Sequence, residues 1–196
     1  ARITPFAIGS HANTKNRPGF EIDSRARLRN TTLGGGANVR LSGKTALVVS
    51  GNRQTFSFDD EESFLGAELS QFLNRRSDTE SVHLRMQLTP LTTFVVRGEA
   101  IQDRFDFASD RDADSYAVMP GFELRPAALI SGQVFVGIRR FSTLSDTVPD
   151  FTGVVANVDA KYVLRSTQFQ VRVARDLTYS YQALQPYYAL TDAGLT

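Results

Sequence analysis

The chain has 196 residues, 41% of them hydrophobic, with no cysteine and a formal net charge of +1. That charge gives no electrostatic case for nucleic acid, and the missing cysteines exclude a disulfide framework and a thiolate metal site. No run of about 18 apolar residues occurs, so a helical membrane span is excluded too.

Neither an initiator Met nor a signal-peptide core precedes Ala1, so the chain is expected to be processed from a precursor or excised from something longer. A first strand is predicted near 6–13, after a short turn at Thr4-Pro5, and a polar connection from Asn13 to Gly19 leads to a second near 26–41. Within the second, Gly34-Gly35-Gly36 lacks the Lys-Ser/Thr of a phosphate-cradling loop and reads as a place of curvature or close chain approach, as do Gly98, Gly121, Gly132 and Gly137 in other strands. Past Ser42-Gly43 a third strand covers 45–58 and ends at the acidic stretch Asp59-Asp60-Glu61-Glu62. Leu65, Leu69, Phe72 and Leu73 then fall at helical spacing inside 64–74, which predicts either a short helix in an outer loop or one more strand.

Strands near 78–88 and 92–107 flank Thr89-Pro90; in the former, Val82, Leu84, Met86 and Leu88 share one face and His83, Arg85 and Gln87 the other. Asp110, Asp112 and Asp114 have calcium-loop spacing, but Ser115 and Gly121 stand where such a loop needs Gly and Glu, so a solvated loop is expected and no metal site or cofactor. The strand near 114–125 sets Tyr116, Val118, Phe122 and Leu124 against Glu123 and Arg125. Beyond Pro126-Ala127, the strand near 129–142 sets Ile130, Val134, Val136 and Ile138 against Ser131, Gln133 and Arg139.

The clearest alternation runs from Thr152 to Leu164 in the strand near 151–164, where Val154, Ala156, Val158, Ala160, Tyr162 and Leu164 oppose Gly153, Asn157, Asp159 and Lys161. Arg165-Ser166 turns the chain into 168–181, where Phe169, Val171, Val173, Leu177, Tyr179 and Tyr181 oppose Gln168, Gln170, Arg172 and Asp176; Arg175 breaks that pattern and has to snorkel. A last strand is predicted near 188–196.

About ten strands, many a dozen residues long and joined by alternating short turns and longer polar connections, define the expected fold: an all-β, antiparallel, up-and-down transmembrane β-barrel. The apolar faces meet lipid. Phe56, Phe58, Phe105, Phe107, Tyr116, Phe141, Phe151, Tyr179 and Tyr181 beside the long loops, with Phe6, Phe94, Tyr162 and Phe169 near the short turns, read as two interfacial girdles. The polar faces line the lumen through Arg40, His83, Arg85, Arg97, Glu99, Glu123, Arg125, Gln133, Arg139, Asn157, Asp159, Lys161, Gln170, Arg172 and Asp176. That set carries a modest cationic excess. It supports either a hydrated path for anionic or sugar solutes or a network of ion pairs plugging a narrow barrel. On the first reading, exchanging Arg85, Arg97, Arg139 and Arg172 for Glu shifts ion selectivity toward cations without loss of assembly.

The segments Leu88-Thr89-Pro90-Leu91-Thr92-Thr93, Asp103-Arg104-Phe105-Asp106-Phe107, Pro120-Gly121-Phe122-Glu123, Ala128-Leu129-Ile130-Ser131-Gly132, Pro149-Asp150-Phe151-Thr152-Gly153 and Gln185-Pro186-Tyr187-Tyr188, in this order, resemble the outer-membrane β-barrel porins. The resemblance spans most of the chain. It implies a Gram-negative outer-membrane location, with some relatives associated with exopolysaccharide or capsule export, and it carries over no catalytic or ligand residue. Such barrels end in a strand with a terminal aromatic, whereas this chain stops at Ala193-Gly194-Leu195-Thr196, so a single segment of a larger barrel is expected over 1–196, as a curled sheet with unpaired edges.

His11 and His83 are the two histidines, and neither stands in a catalytic motif, so no enzymatic activity is expected. The function expected is a porin-like channel passing polar solutes or an exopolysaccharide chain. A closed structural or adhesion barrel that binds partners through its outer loops is the second reading, and a soluble lipocalin-like binding protein the third. Expected partners are outer-membrane lipid, lipopolysaccharide and polysaccharide-export machinery.

Overall fold

A computed structural model describes residues 2–126, 128–146, 148–164, 167–182 and 185–196. Its strands are β1 (Arg2–Asn16), β2 (Ala26–Arg40), β3 (Thr45–Phe58), β4 (Ser63–Phe64), β5 (Ala67–Glu68), β6 (Arg75–Gln87), β7 (Thr92–Phe105), β8 (Ala113–Leu124), β9 (Ile130–Thr143), β10 (Phe151–Leu164), β11 (Thr167–Tyr179) and β12 (Tyr187–Leu195). One short helix, α1 (Leu69–Leu73), precedes β6. The ten long strands make one sheet in the order β1-β2-β3-β6-β7-β8-β9-β10-β11-β12, every ladder antiparallel. This is the expected all-β up-and-down meander. Each strand returns beside its predecessor because the connections are short enough for hairpins.

Sequential antiparallel order puts the turns at 41–44 and 88–91 on one rim, with the connections β8–β9 and β10–β11. Side chains build the first two turns: the Ser42 hydroxyl accepts from the Lys44 and Thr45 amides, and the Thr89 hydroxyl from those of Leu91 and Thr92. Of the turns expected on this rim, Ala127, Arg165 and Ser166 lie outside the described residues. Thr4-Pro5 does not turn: both residues lie inside β1, with Pro5 opposite Ala37. Proline is tolerated there because β1 is an edge strand and Pro5 need not donate to a second neighbour. The stretch at 64–74 realises both alternatives in miniature, a two-residue hairpin that turns at Leu65 and Gly66 followed by the one-turn helix.

The sheet is strongly curled. Tyr179 of β11 packs against Phe105 of β7 with ring centroids 4.9 Å apart. A flat sheet would hold strands four ladders apart at roughly 19 Å. Glycine permits the curl where strands close up: a Cβ on Gly36 would lie 2.2 Å from the Val49 carbonyl oxygen, and one on Gly121 2.1 Å from that of Val134. Gly98 has no such role, since its Cβ would meet nothing nearer than 3.8 Å. Among the described residues β1 pairs only with β2 and β12 only with β11, so two strand edges carry unpaired backbone.

The convex face is apolar and open. Ile138 is 60% exposed and Tyr116 60%, with Val118, Val136, Val154 and Val171 also exposed, as the alternation requires. Arg175 sits among them and donates to the Val154 carbonyl at 3.2 Å and the Thr191 hydroxyl at 2.6 Å, so the backbone and β12 satisfy this cation. Among the described residues no helix is long and apolar enough to cross a membrane.

Candidate functional site

The inward side chains form a layered surface. Nearest the short turns, Arg85 donates to Glu123 at 2.5 Å, and Arg97 reaches Glu123 at 3.5 Å and the Gln133 amide oxygen at 3.1 Å. The row continues as Gln133 donates to Asn157 at 2.8 Å, while Gln170 donates to Asp159 at 2.7 Å and Arg172 stands 3.8 Å from the same carboxylate. Antiparallel register makes this possible: Glu123 faces Gln133 across β8–β9, Gln133 faces Asp159 across β9–β10, and Asp159 faces Arg172 across β10–β11. His83 belongs to the same face, opposite Arg97.

A second row lies deeper. Arg139, only 5% exposed, donates to Asp176 at 2.8 and 3.0 Å, to the Ser115 hydroxyl at 3.1 Å and to Glu99 at 3.4 Å. Its fork spans β7, β8, β9 and β11. A two-point contact of this kind fixes the carboxylate's plane as well as its position.

Alternation leaves out one thing: part of this inner face is dry. Val95, Met119, Phe135 and Val155 form a buried cluster between the charged residues, and the Arg97 guanidinium lies 3.4 Å from the Phe135 ring centroid. The inward surface therefore alternates polar rows with an apolar band. These positions, unassigned from sequence, share parity with Arg97, Glu123, Gln133 and Asn157, and that parity is the signal that places them inward.

The long-loop end corrects the girdle reading. Phe58, Phe105 and Phe141 are buried, and Tyr179, assigned to the outer face, turns inward and donates to Asp103 at 2.8 Å. Asp176 and Tyr179 both point inward although three positions separate them, so strict alternation fails at the end of β11. Arg75 lies over Phe56 at 4.0 Å and Tyr179 at 5.0 Å, a cation held by aromatic faces. Tyr181 also leaves the outer face, packing edge-on against Phe64 beside a core of Ile22, Ala26, Phe58, Leu69 and Leu73. Phe107 and Tyr116 stay exposed at this rim; near the short turns, Phe94 pairs with Phe122 and Tyr162 stacks on Phe169.

Arg111 joins these loops. Fully buried in the short turn before β8, it donates to the backbone carbonyls of Phe72 at 3.1 Å, Ser180 at 2.7 Å and Gln182 at 2.6 Å. Asp112 and Asp114 are committed locally, accepting from the Phe105 amide and from Arg104. At the rim, Arg27 and Arg29 both donate to Asp59, which holds its carboxyl below the usual range, Arg29 contributing most.

The remaining candidates gather beside the short turns. Arg125 and Lys161 line a cavity of about 530 Å³ with Arg85, Glu123 and Asp159, and Arg40 and Lys44 line an adjoining one of about 330 Å³ with Arg85 and Arg125. Lys44 was missed because it lies in a turn and outside any alternating run.

A curled antiparallel meander with an apolar convex face and a hydrogen-bonded, charged concave face defines a porin-type β-barrel protein. The chain belongs to the family described as Putative beta-barrel porin 2, whose profile matches residues 9–194. Comparison with curated proteins and with solved structures gives no match.

Proposed function

We propose that the chain forms the wall of a bacterial outer-membrane channel that passes polar solutes or an exopolysaccharide chain, without enzymatic activity. The supporting observation is the division of the curled sheet into an open Val/Ile/Tyr surface and an opposite surface of linked polar side chains running from Arg85 to Asp159. Lipid would meet the first and water the second. A soluble lipocalin-like module would instead turn Val136, Ile138 and Val154 inward. On this reading 1–196 is one segment of a larger barrel, the free edges of β1 and β12 take further strands, lipopolysaccharide surrounds the long-loop rim, and export machinery docks at the channel ends. The full-length protein in planar bilayers should show steady open conductance and, in vesicles, admit neutral oligosaccharides. A protein that inserts but never conducts rejects the channel.

One observation favours the closed structural or adhesion barrel. The long-loop end is packed by Ile22, Phe58, Leu69 and Leu73 and tied by Arg111, which would obstruct a path at that level. Conductance that appears only after Arg111→Ala would identify those loops as the obstruction.

A further inference from the structure

We infer that the short-turn mouth is a binding site for an acidic oligosaccharide, one bearing several carboxylates along its length; this rests on the channel reading. The inner-face cations fall into two groups. Arg85, Arg97, Arg139 and Arg172 stand in ion pairs with carboxylates of the protein itself. Arg40, Lys44, Arg125 and Lys161 make no ion pair among the described residues, although they line two adjoining cavities that share Arg85, Thr93 and Arg125.

Three features select the ligand. The four free cations come from the end of β2, the β2–β3 turn, the end of β8 and β10, so they are spread around the mouth and match a chain of charges better than a single anion. Between them stand hydroxyls and amides, Thr93, Ser131, Gln133, Asn38 and Gln87, the donors and acceptors that sugar hydroxyls use. The cavities, about 530 and 330 Å³, are of small-molecule size. Arg40, Lys44 and Arg125 are exposed and Lys161 is half-buried, so long flexible cations meet such a ligand from solution and release it readily, as conduction requires.

The test is isothermal titration calorimetry on the detergent-solubilised full-length protein that contains this chain, with trigalacturonate, maltotriose and inorganic phosphate as probes. Trigalacturonate should bind at least roughly tenfold more tightly than either of the others, and added salt should weaken it. Arg40→Gln, Lys44→Gln, Arg125→Gln and Lys161→Gln combined should erase that preference. Since none of the four takes part in an ion pair among the described residues, neutralising them breaks no ion pair there; Lys44→Gln alone, in an exposed turn, should give a several-fold loss where the combined variant fails to fold. Equal binding of trigalacturonate and maltotriose, phosphate binding as tight as trigalacturonate, or a preference unchanged by Lys44→Gln overturns the inference. Binding without conductance supports it and rejects the channel, whereas conductance without this preference does the reverse.

Discussion

Arg139→Ala separates an internal brace from a selectivity device. The Arg139 side chain is 6% exposed and its guanidinium meets Asp176, Glu99 and Ser115, so truncation removes the donor to a buried hydroxyl and to two carboxylates, of which Asp176 keeps the Leu177 amide. Breaking a buried pair costs about 3–5 kcal/mol when the orphaned charge stays dry. Here Asp176 is 50% exposed and regains water, which brings the expected loss to about 2–3 kcal/mol. Arg172→Ala is the control: this residue is 68% exposed and 3.8 Å from Asp159, and its removal should cost about 0.5 kcal/mol or less. Urea unfolding in detergent micelles, read by far-ultraviolet circular dichroism because the chain has no tryptophan, gives both values. A cycle combining Arg139→Ala with Asp176→Ala should recover a coupling above about 1 kcal/mol. Equal losses for Arg139→Ala and Arg172→Ala, or no coupling, would refute the brace. The four arginines grouped from sequence as selectivity residues thus divide, and Arg139→Glu is expected to impair assembly.

Other predictions test the remaining surfaces. Val136→Arg places a cation mid-strand on the convex face and should cost about 2–4 kcal/mol in lipid, measured as reduced vesicle insertion; unimpaired insertion would remove the lipid-facing assignment. Arg111→Ala deprives three carbonyls of a charged donor, so limited proteolysis should open the segment before β6, and Arg111→Lys should not restore protection because one ammonium cannot match the guanidinium fork. The Asp59 carboxyl is held low by Arg29 and Arg27, so its stabilisation is complete above the ordinary carboxylate value of about 3.9 and fades as pH falls through the lowered one. Asp59→Asn should flatten that part of the acid-unfolding curve.

Strand number and order were legible because most of the long strands repeat the same two-residue code over a dozen or more positions, and Val134, Val136 and Ile138 could not change face without moving Gln133 and Arg139 with them. The same code reached most of the inner polar rows. It failed where tertiary contact overrides local pattern. Pro5 reads as a turn signal until its position at a sheet edge is known, and Tyr179 reads as outward until Phe105, Phe141 and Asp103 offer it partners from strands four and two ladders away. Residues on the same strand cannot reveal such partners.

The girdle error has a different origin and shows what alternation does contain. Phe105 stands at the parity of Arg97 and Glu99, and Phe141 at that of Arg139, so both were inward by the rule that placed the charges. Aromatic chemistry near a loop outweighed parity in the reading, although a rim offers two faces and only one meets lipid. Val95 and Phe135 follow the same logic in mid-strand. Parity assigns a face, while dryness depends on what lies across the curl. With Arg97 covering Phe135, the apolar cluster separates the charged mouth beside the short turns from the Arg139 brace and the aromatic loop end. Both ion pairs and unpaired cations stand on the mouth side of the cluster, the latter being Arg40, Lys44, Arg125 and Lys161, whereas beyond it Arg139 is held by Asp176 and Glu99 and ties strands together.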